Sequence, residues 1–320
     1  GHDRWPTPLV HALDDIDQQV LNDLPSNLWG AKPTGLWATT RKDALARLHY
    51  FINEILPTFG EHEDAMLESN WHLAHSLLSP YLNNGLLLPN EVLDAAAQAF
   101  SDGKVPINSA EGFIRQILGW REYIWNCYWR WMPDYAQRNH LEAHRPLPPL
   151  FKNPKKTQMK CMSTVLNGVN EHSYSHHIER LMVLGNFALI TGTNPQQFTE
   201  WMWNSFIDAA EWVMVPNVIG MSLYADGGML ATKPYASGGA YIDRMSNHCK
   251  GCAYDRKKRT GDDACPFTVL YWDFMMRHQG TFVKNPRIAR QVRAAQQLSD
   301  IDAVQQTAQS ILQRLDAGQI

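Results

Sequence analysis

No apolar run in the 320-residue chain approaches the roughly 20 residues that a membrane-spanning helix needs, so no membrane partner is expected. The opening residues Gly1-His2-Asp3-Arg4-Trp5-Pro6 lack the charged-then-apolar layout of a secretory signal. Charge is sparse, 19% of residues against 44% hydrophobic, which suits a globular protein with a large interior. The net charge of −3 gives no overall basic field, so any nucleic-acid contact must come from a local basic face. Five cysteines, an odd number in a chain too long to need staples, point to reduced thiols and a cytoplasmic setting. Strand-like alternation is scarce: Val213-Met214-Val215 and Phe282-Val283 are too isolated to build a sheet. No internal repeat or low-complexity segment is present.

What the chain does have is helical periodicity. Leu45, Leu48, Phe51, Ile52, Ile55 and Leu56 recur at three- and four-residue spacing, as do Phe113, Ile117, Trp120, Ile124 and Tyr128. The spacing predicts a helix from Ala110 to Met132 with Ser109 as its N-cap. A long helix is expected over Glu171–Thr191, another opens at Pro195, and the tail from Ile288 to Leu315 is helical. Residues 1–35 read as a proline-rich linker segment, and 36–320 as one mainly α-helical domain. The stretch 224–241, with Gly227, Gly228, Gly238 and Gly239, reads as an ordered loop near a ligand. Twelve tryptophans are an outlying number. Core packing is their ordinary role, and electron relay is the alternative in a redox protein.

Cys161, the pair Cys249-x-x-Cys252, and Cys265-Pro266 form a set that can converge on one metal centre. The Cys-Pro step favours iron–sulfur over zinc. The fifth cysteine, Cys127, sits among Trp125, Tyr128 and Trp129 and reads as a buried bystander. Ser76 and Ser79 stand just ahead of a proline-started helix, an arrangement that can cradle phosphate but is as common in an ordinary cap.

A Ser109-Ala110-Glu111 start leading to Trp120-Arg121-Glu122-Tyr123 resembles the signature helix of the photolyase/cryptochrome superfamily. Ser76-x-x-Ser79-Pro80-Tyr81-Leu82 is similar to its flavin-phosphate loop. The runs Ser175-His176-His177-Ile178-Glu179-Arg180, Val215-Pro216-Asn217 and Ala225-Asp226-Gly227-Gly228 follow in the same order. With the four cysteines, the chain resembles the bacterial iron–sulfur branch, the prokaryotic (6-4) photolyases, from about Gly60 to Pro286. That family carries an N-terminal α/β antenna domain with a lumazine chromophore. The sequence reads as the catalytic portion without it.

The resemblance implies a helical FAD-binding domain with a [4Fe-4S] cluster on Cys161, Cys249, Cys252 and Cys265. It implies that Ser76 and Ser79 hold the FAD phosphates, and that Arg180 and Asp226 pair beside the flavin ring with Asp208 and Asn217 nearby. His177 would line the lesion pocket with His176 behind it, exchanging the proton that moves on repair. Tyr235 and Tyr241 match pocket tyrosines, and Gln116 and Trp120 match positions that touch a flipped-out dinucleotide, Trp120 by stacking. Trp201 matches the inner electron-transfer tryptophan, but Met202 and Ala210 replace aromatic relay positions, leaving Trp203 or Trp212 as alternatives. The basic loop Arg256-Lys257-Lys258-Arg259 is either a solvated charge run or a phosphate contact. The implied activity is light-driven repair of (6-4) photoproducts in UV-damaged DNA, by a monomer associated with the bacterial nucleoid. A cryptochrome-type photoreceptor and a zinc-stabilised DNA-binding module are the rival readings.

Overall fold

The computed structural model describes residues 5–320. Their regular structure is helical, as the periodicity predicts, and β structure is limited to four isolated bridges. The leading segment contains a helix that the sequence reading did not place, α1 (Asp15–Asp23). Asp14 accepts from the N–H groups of Ile16 and Asp17, and the Asp17 carboxylate accepts from the N–H of Asp14, a reciprocal cap. Buried Arg47 fastens the segment by donating to the carbonyls of Leu9 and Leu36 at 2.5 and 2.6 Å.

Two apolar cores organise the rest. The first lies among α2 (Arg41–Tyr50), α3 (Leu56–His62), α4 (Ser79–Asn83), α5 (Pro89–Ser101) and α6 (Ile107–Ile114). Its centre is built from Leu48, Phe51, Ile55, Phe59, Tyr81 and Phe113. After α7 (Glu122–Trp131) come α8 (Lys160–His172), α9 (Asn186–Thr191), α10 (Pro195–Ser205) and α11 (Glu211–Pro216). These join α12 (Gly239–Met245), α13 (Pro266–Arg277), α14 (Gln279–Phe282), α15 (Ala289–Gln296) and α16 (Ile301–Asp316) around the second core. The run at 213–215 is thus helical, absorbed into α11, and Phe282 and Val283 form the end and C-cap of α14.

The cores meet along a seam tied by directed bonds. Trp37 Nε1 donates to the His172 carbonyl at 2.9 Å, and Asn83 Nδ2 to the Asp208 carbonyl at 2.7 Å. Two helix boundaries differ from the expectation. The helix expected from Ala110 begins at Ile107, so Ser109 is interior rather than a cap. Its hydroxyl accepts from the Gly60 N–H at 2.9 Å and locks α6 to α3. The helix expected over Glu171–Thr191 is broken at Ser173, whose φ of 51° ends α8 and turns the chain into the seam.

Four π-helical turns interrupt otherwise continuous helices, at Phe51–Ile55, Arg115–Arg121, Glu179–Gly185 and Asn217–Ser222. Such wide turns re-aim side chains and recur at functional sites. Three of them carry expected site residues: Gln116 and Trp120, Arg180, and Asn217. The last has a visible cause. Pro216 has no N–H and its ring crowds the preceding turn, and the Asn217 side chain donates to the Val213 carbonyl at 2.7 Å.

Gly220 lies on that turn where the backbone nearly touches its neighbours. A Cβ there would stand 2.3 Å from the Tyr135 hydroxyl and 2.7 Å from Leu230 Cβ. Gly220→Ala is therefore expected to destabilise the fold by about 1–3 kcal/mol, the usual range for overpacking. Urea unfolding monitored by tryptophan fluorescence measures it.

Candidate functional site

The loop 70–79 approaches the seam in strained backbone. Leu73 and Leu77 have φ of 44° and 57°, a region that bulky residues seldom occupy. Two rings hold the loop in place: His72 Nδ1 meets the Leu73 carbonyl at 3.0 Å, and His75 Nδ1 meets the His72 carbonyl at 3.0 Å. Burial pushes His72 down to about 4, so it remains a neutral structural ring.

The loop ends in a clasp. Ser79 Oγ donates to Asp208 Oδ2 at 2.6 Å, and Arg180 Nη1 and Nη2 donate to Oδ1 and Oδ2 at 3.0 Å each. Arg180 Nε donates to the Ser175 carbonyl at 2.6 Å, and its guanidinium lies over Phe206 and Tyr174, 4.3 and 5.0 Å from the ring centroids. The structure corrects the expected ion pair here. Arg180 is bound to Asp208, not Asp226. The Asp226 carboxylate instead accepts from Tyr135 Oη at 2.7 Å and from the N–H groups of Gly228 and Leu230 at 2.9 and 2.8 Å, so it organises its own glycine turn.

Beside the clasp stand three histidines. His176 is fully buried and stacks on His75 with centroids 4.3 Å apart and planes 10° from parallel. His177 is half exposed, and its Nε2 lies 3.3 Å from Asp64 Oδ1. The hydrogen bond with His177 holds the Asp64 carboxyl below its usual range. The same carboxylate reaches Tyr241, whose hydroxyl is raised first by burial and then by Asp64. His176 and His177 thus diverge as adjacent helical residues must, one into the interior and one towards solvent. Asp64 and His75 carried no clear sequence signal. They are recognisable only once the fold sets them against 176–177.

The remaining residues are placed as follows. Trp120 is 43% exposed and lies edge-on to Tyr123 at 6.0 Å, while Gln116 folds back on the Gly112 carbonyl at 3.3 Å. Tyr235 packs at the margin of the large core, and Ser76 Oγ accepts from the Leu78 N–H at 3.3 Å. Trp201 is buried, donates to the Phe151 carbonyl at 3.1 Å, and has Phe151, Phe198 and Phe206 as ring neighbours. Trp212 belongs to another aromatic group, 5.1 Å from Trp125, which lies 5.5 Å from Trp129. Arg121 was not singled out by the sequence reading. Its guanidinium lies 4.9 Å over Trp212, Nη2 reaches the Leu82 carbonyl at 3.3 Å, and Nε is buried without a partner. Ser175 Oγ is likewise buried and unpartnered. Unspent donors at the end of the serine loop are what a bound anionic group would use.

Cys161, Cys249, Cys252 and Cys265 line one small cavity with Met159, His248 and Tyr254. They arrive from the first turn of α8, from a turn closed at Gly251 with φ of 73°, and from the residue that precedes Pro266 of α13. Burial and the other three sulfurs raise Cys161, and burial pushes Cys249 up to about 12. Among the described residues, no three of these sulfurs lie within 4.8 Å of one another. Of the basic loop, Arg256 pairs with Asp243, Lys258 with Asp263, and Arg259 with Asp300. Three of its four cations are spent within the protein, which favours the structural role.

The chain is 47% identical over 289 residues to a (6-4) photolyase of Agrobacterium fabrum, a match covering 89% of this chain and 57% of that protein. It spans somewhat more than half the length of that relative. A 101-residue stretch is 32% identical to uncharacterised protein R855 of Acanthamoeba polyphaga mimivirus, covering 32% of this chain and 75% of that protein. An 81-residue stretch is 40% identical to R853 of the same virus, covering 25% and 61%. The crystal structure of a bacterial class III photolyase from Agrobacterium tumefaciens superposes with a TM-score of 0.54 at 17% identity, over 90% of this chain and 60% of that one. That likeness speaks to the fold. No family model matches the chain.

Asp208→Ala would leave the Arg180 guanidinium, only 18% exposed, without its carboxylate. Removal of one partner from a buried pair costs about 3–5 kcal/mol. A double-mutant cycle with Arg180→Met, read by urea unfolding, is expected to show strong non-additivity.

Proposed function

The chain belongs to the photolyase family, and on that premise we propose that it repairs (6-4) pyrimidine–pyrimidone photoproducts in DNA under blue light, as a carbon–carbon lyase. The observation that carries this reading is the adjacency of the Arg180–Asp208–Ser79 clasp to the histidines at 176–177. A fixed cation and a proton-exchanging ring share one seam.

FAD fits two donors that stand unspent near that seam, Arg121 Nε and Ser175 Oγ. Ser76, Ser79 and Arg121 would hold its phosphates, with Arg180, Asp208 and Asn217 beside the ring. Asp226 serves at one remove, through the turn it braces. When bound in reduced form, FAD would supply the excited-state electron that the lesion needs and take it back. The chain's own residues do the rest. Arg180, held by Asp208, supplies positive charge that need not reorganise during the reaction. Trp120 offers an exposed face on which a flipped base can stack, and Gln116 and Tyr241 would be further contacts. His177, half exposed, would hold the proton that moves as the lesion reverts, with Asp64 Oδ1 3.3 Å away to orient its ring and Tyr235 as a further residue facing the lesion. Trp201 would pass electrons inward from the aromatic core.

Four thiols around one cavity suit a metal centre, and the Cys265-Pro266 step favours a [4Fe-4S] cluster over zinc. The cluster would pin the loop 247–265 to α8 and α13 rather than donate the repair electron. A lumazine antenna would belong to a domain outside this chain. We place the protein as a monomer in the bacterial cytoplasm, at the nucleoid. No helix of the described residues is long and apolar enough to cross a membrane.

An oligonucleotide with a single (6-4) lesion tests the activity. Blue light and reducing conditions should restore it, darkness should not, and His177→Ala should slow restoration by about a hundredfold or more, the usual share of a positioned acid–base group. A light-responsive flavoprotein with no turnover would favour the photoreceptor instead. Cys252→Ala should lose the brown iron–sulfur absorption and much thermal stability, and a stable yellow variant would refute the structural role of the cluster.

A further inference from the structure

Glu179 is an ionisable group that the repair scheme leaves unused. It is 4% exposed and sits on the π-helical turn that also carries Arg180. Its Oε1 lies 3.5 Å from Nε2 of His176, and neither ring nitrogen of His176 has a hydrogen-bond partner in the interior. The ring nitrogens of His75, His176 and His177 gather within 4.8 Å, the spacing of a metal site. The chemistry of His75 opposes that use. Its Nδ1 faces the His72 carbonyl at 3.0 Å and its Nε2 the Glu63 carbonyl at 3.1 Å, so both nitrogens are directed at backbone oxygens rather than at a shared cation. A buried carboxyl against an unpartnered imidazole is a proton pair instead.

We propose that Glu179 and His176 form a one-proton store behind the lesion pocket. At rest the Glu179 carboxyl carries the proton, with Oε1 3.5 Å from Nε2 of His176, and it passes that proton to the ring when negative charge arrives on the pocket side. In the transfer the carboxyl O–H bond breaks, its electron pair stays on the carboxylate, and an N–H bond forms at Nε2. The net charge of the pair is unchanged, and no oxidant or reductant takes part. Glu179 is in this sense a positioning residue. It sets the tautomer and charge of His176, which backs His177. The arrival of negative charge rests on the photorepair reading, whereas the resting pair does not.

The surroundings set the resting state. Burial holds the Glu179 carboxyl up to about 8, with His248, the His176 backbone and Arg180 acting in the opposite direction. Burial likewise holds His176 well below its ordinary value, aided by His177, Arg180 and His248 and opposed by Asp64. At neutral pH the pair is therefore carboxylic acid and neutral imidazole. The folded-state value of Glu179 is raised, so the acid form is fully present at low pH and the store empties as pH rises through about 8.

Infrared spectroscopy of the intact chain reads the pair without any turnover. The wild type at pH 7 should show a protonated-carboxyl stretch that fades as pH rises through about 8 and is missing from Glu179→Gln. In repair assays Glu179→Gln keeps a donor to Nε2 but no transferable proton. It should be slower by about tenfold or more at pH 7 and lack the wild-type decline at higher pH, with Glu179→Asp recovering part of the rate. A wild type whose buried-carboxyl band is absent at pH 7 overturns the store, and this needs no variant to fold. A Glu179→Gln protein with the wild-type pH profile overturns it too. A wild type that shows the band but repairs nothing refutes photorepair and leaves the resting pair in place.

Discussion

The carboxylate of Asp208 accepts from Ser79 of one core and twice from Arg180 of the other, while its main-chain carbonyl accepts from Asn83. Where these bonds converge, the two cores are brought into register and a guanidinium is fixed in a largely desolvated seam. An isolated buried cation would be prohibitively costly, and a buried pair alone is close to neutral in stability. Its value here is geometric. Once Arg180 is held, its turn also sets Glu179 against His176, and the backbone that follows Ser173 carries His177 to the solvent margin. The fixed charge, the buried proton and the exposed ring are three consequences of one clasp.

Around it the molecule concentrates local departures from regular structure. Left-handed Leu73, Leu77, Ser173 and Tyr224, together with the π-helical turns at 115–121, 179–185 and 217–222, border the seam. Each costs free energy that the two cores must offset, and each redirects a side chain that a straight helix would send elsewhere. Arg121 Nε, Ser175 Oγ and both ring nitrogens of His176 are buried there without partners.

Much of this was legible from residue order. Apolar periodicity located the helices, because amphipathic helices announce themselves at three- and four-residue spacing. Cysteine spacing and the serine and histidine runs named the candidate site residues, because those residue types carry the chemistry. What sequence could not resolve was pairing across the seam. Asp208 and Asp226 both follow Arg180 in the chain, and only the three-dimensional course of the backbone decides which carboxylate meets it. The serine at 109 looked like a cap because hydroxyls favour helix starts, but Pro106 holds the cap position and the hydroxyl is spent on Gly60. Glu179 stands in the sequence only as a member of the run from Ser175 to Arg180, and its burial is visible only in the fold.

The central claim is that one seam holds a flavin and that four cysteines beside it hold an iron–sulfur cluster. An absorption spectrum of the anaerobically purified protein, with flavin, iron and sulfide quantified per chain, tests both at once. The account predicts flavin bands on a broad iron–sulfur absorption, with one flavin and about four irons and four sulfides per chain. A colourless protein carrying a single zinc would contradict it.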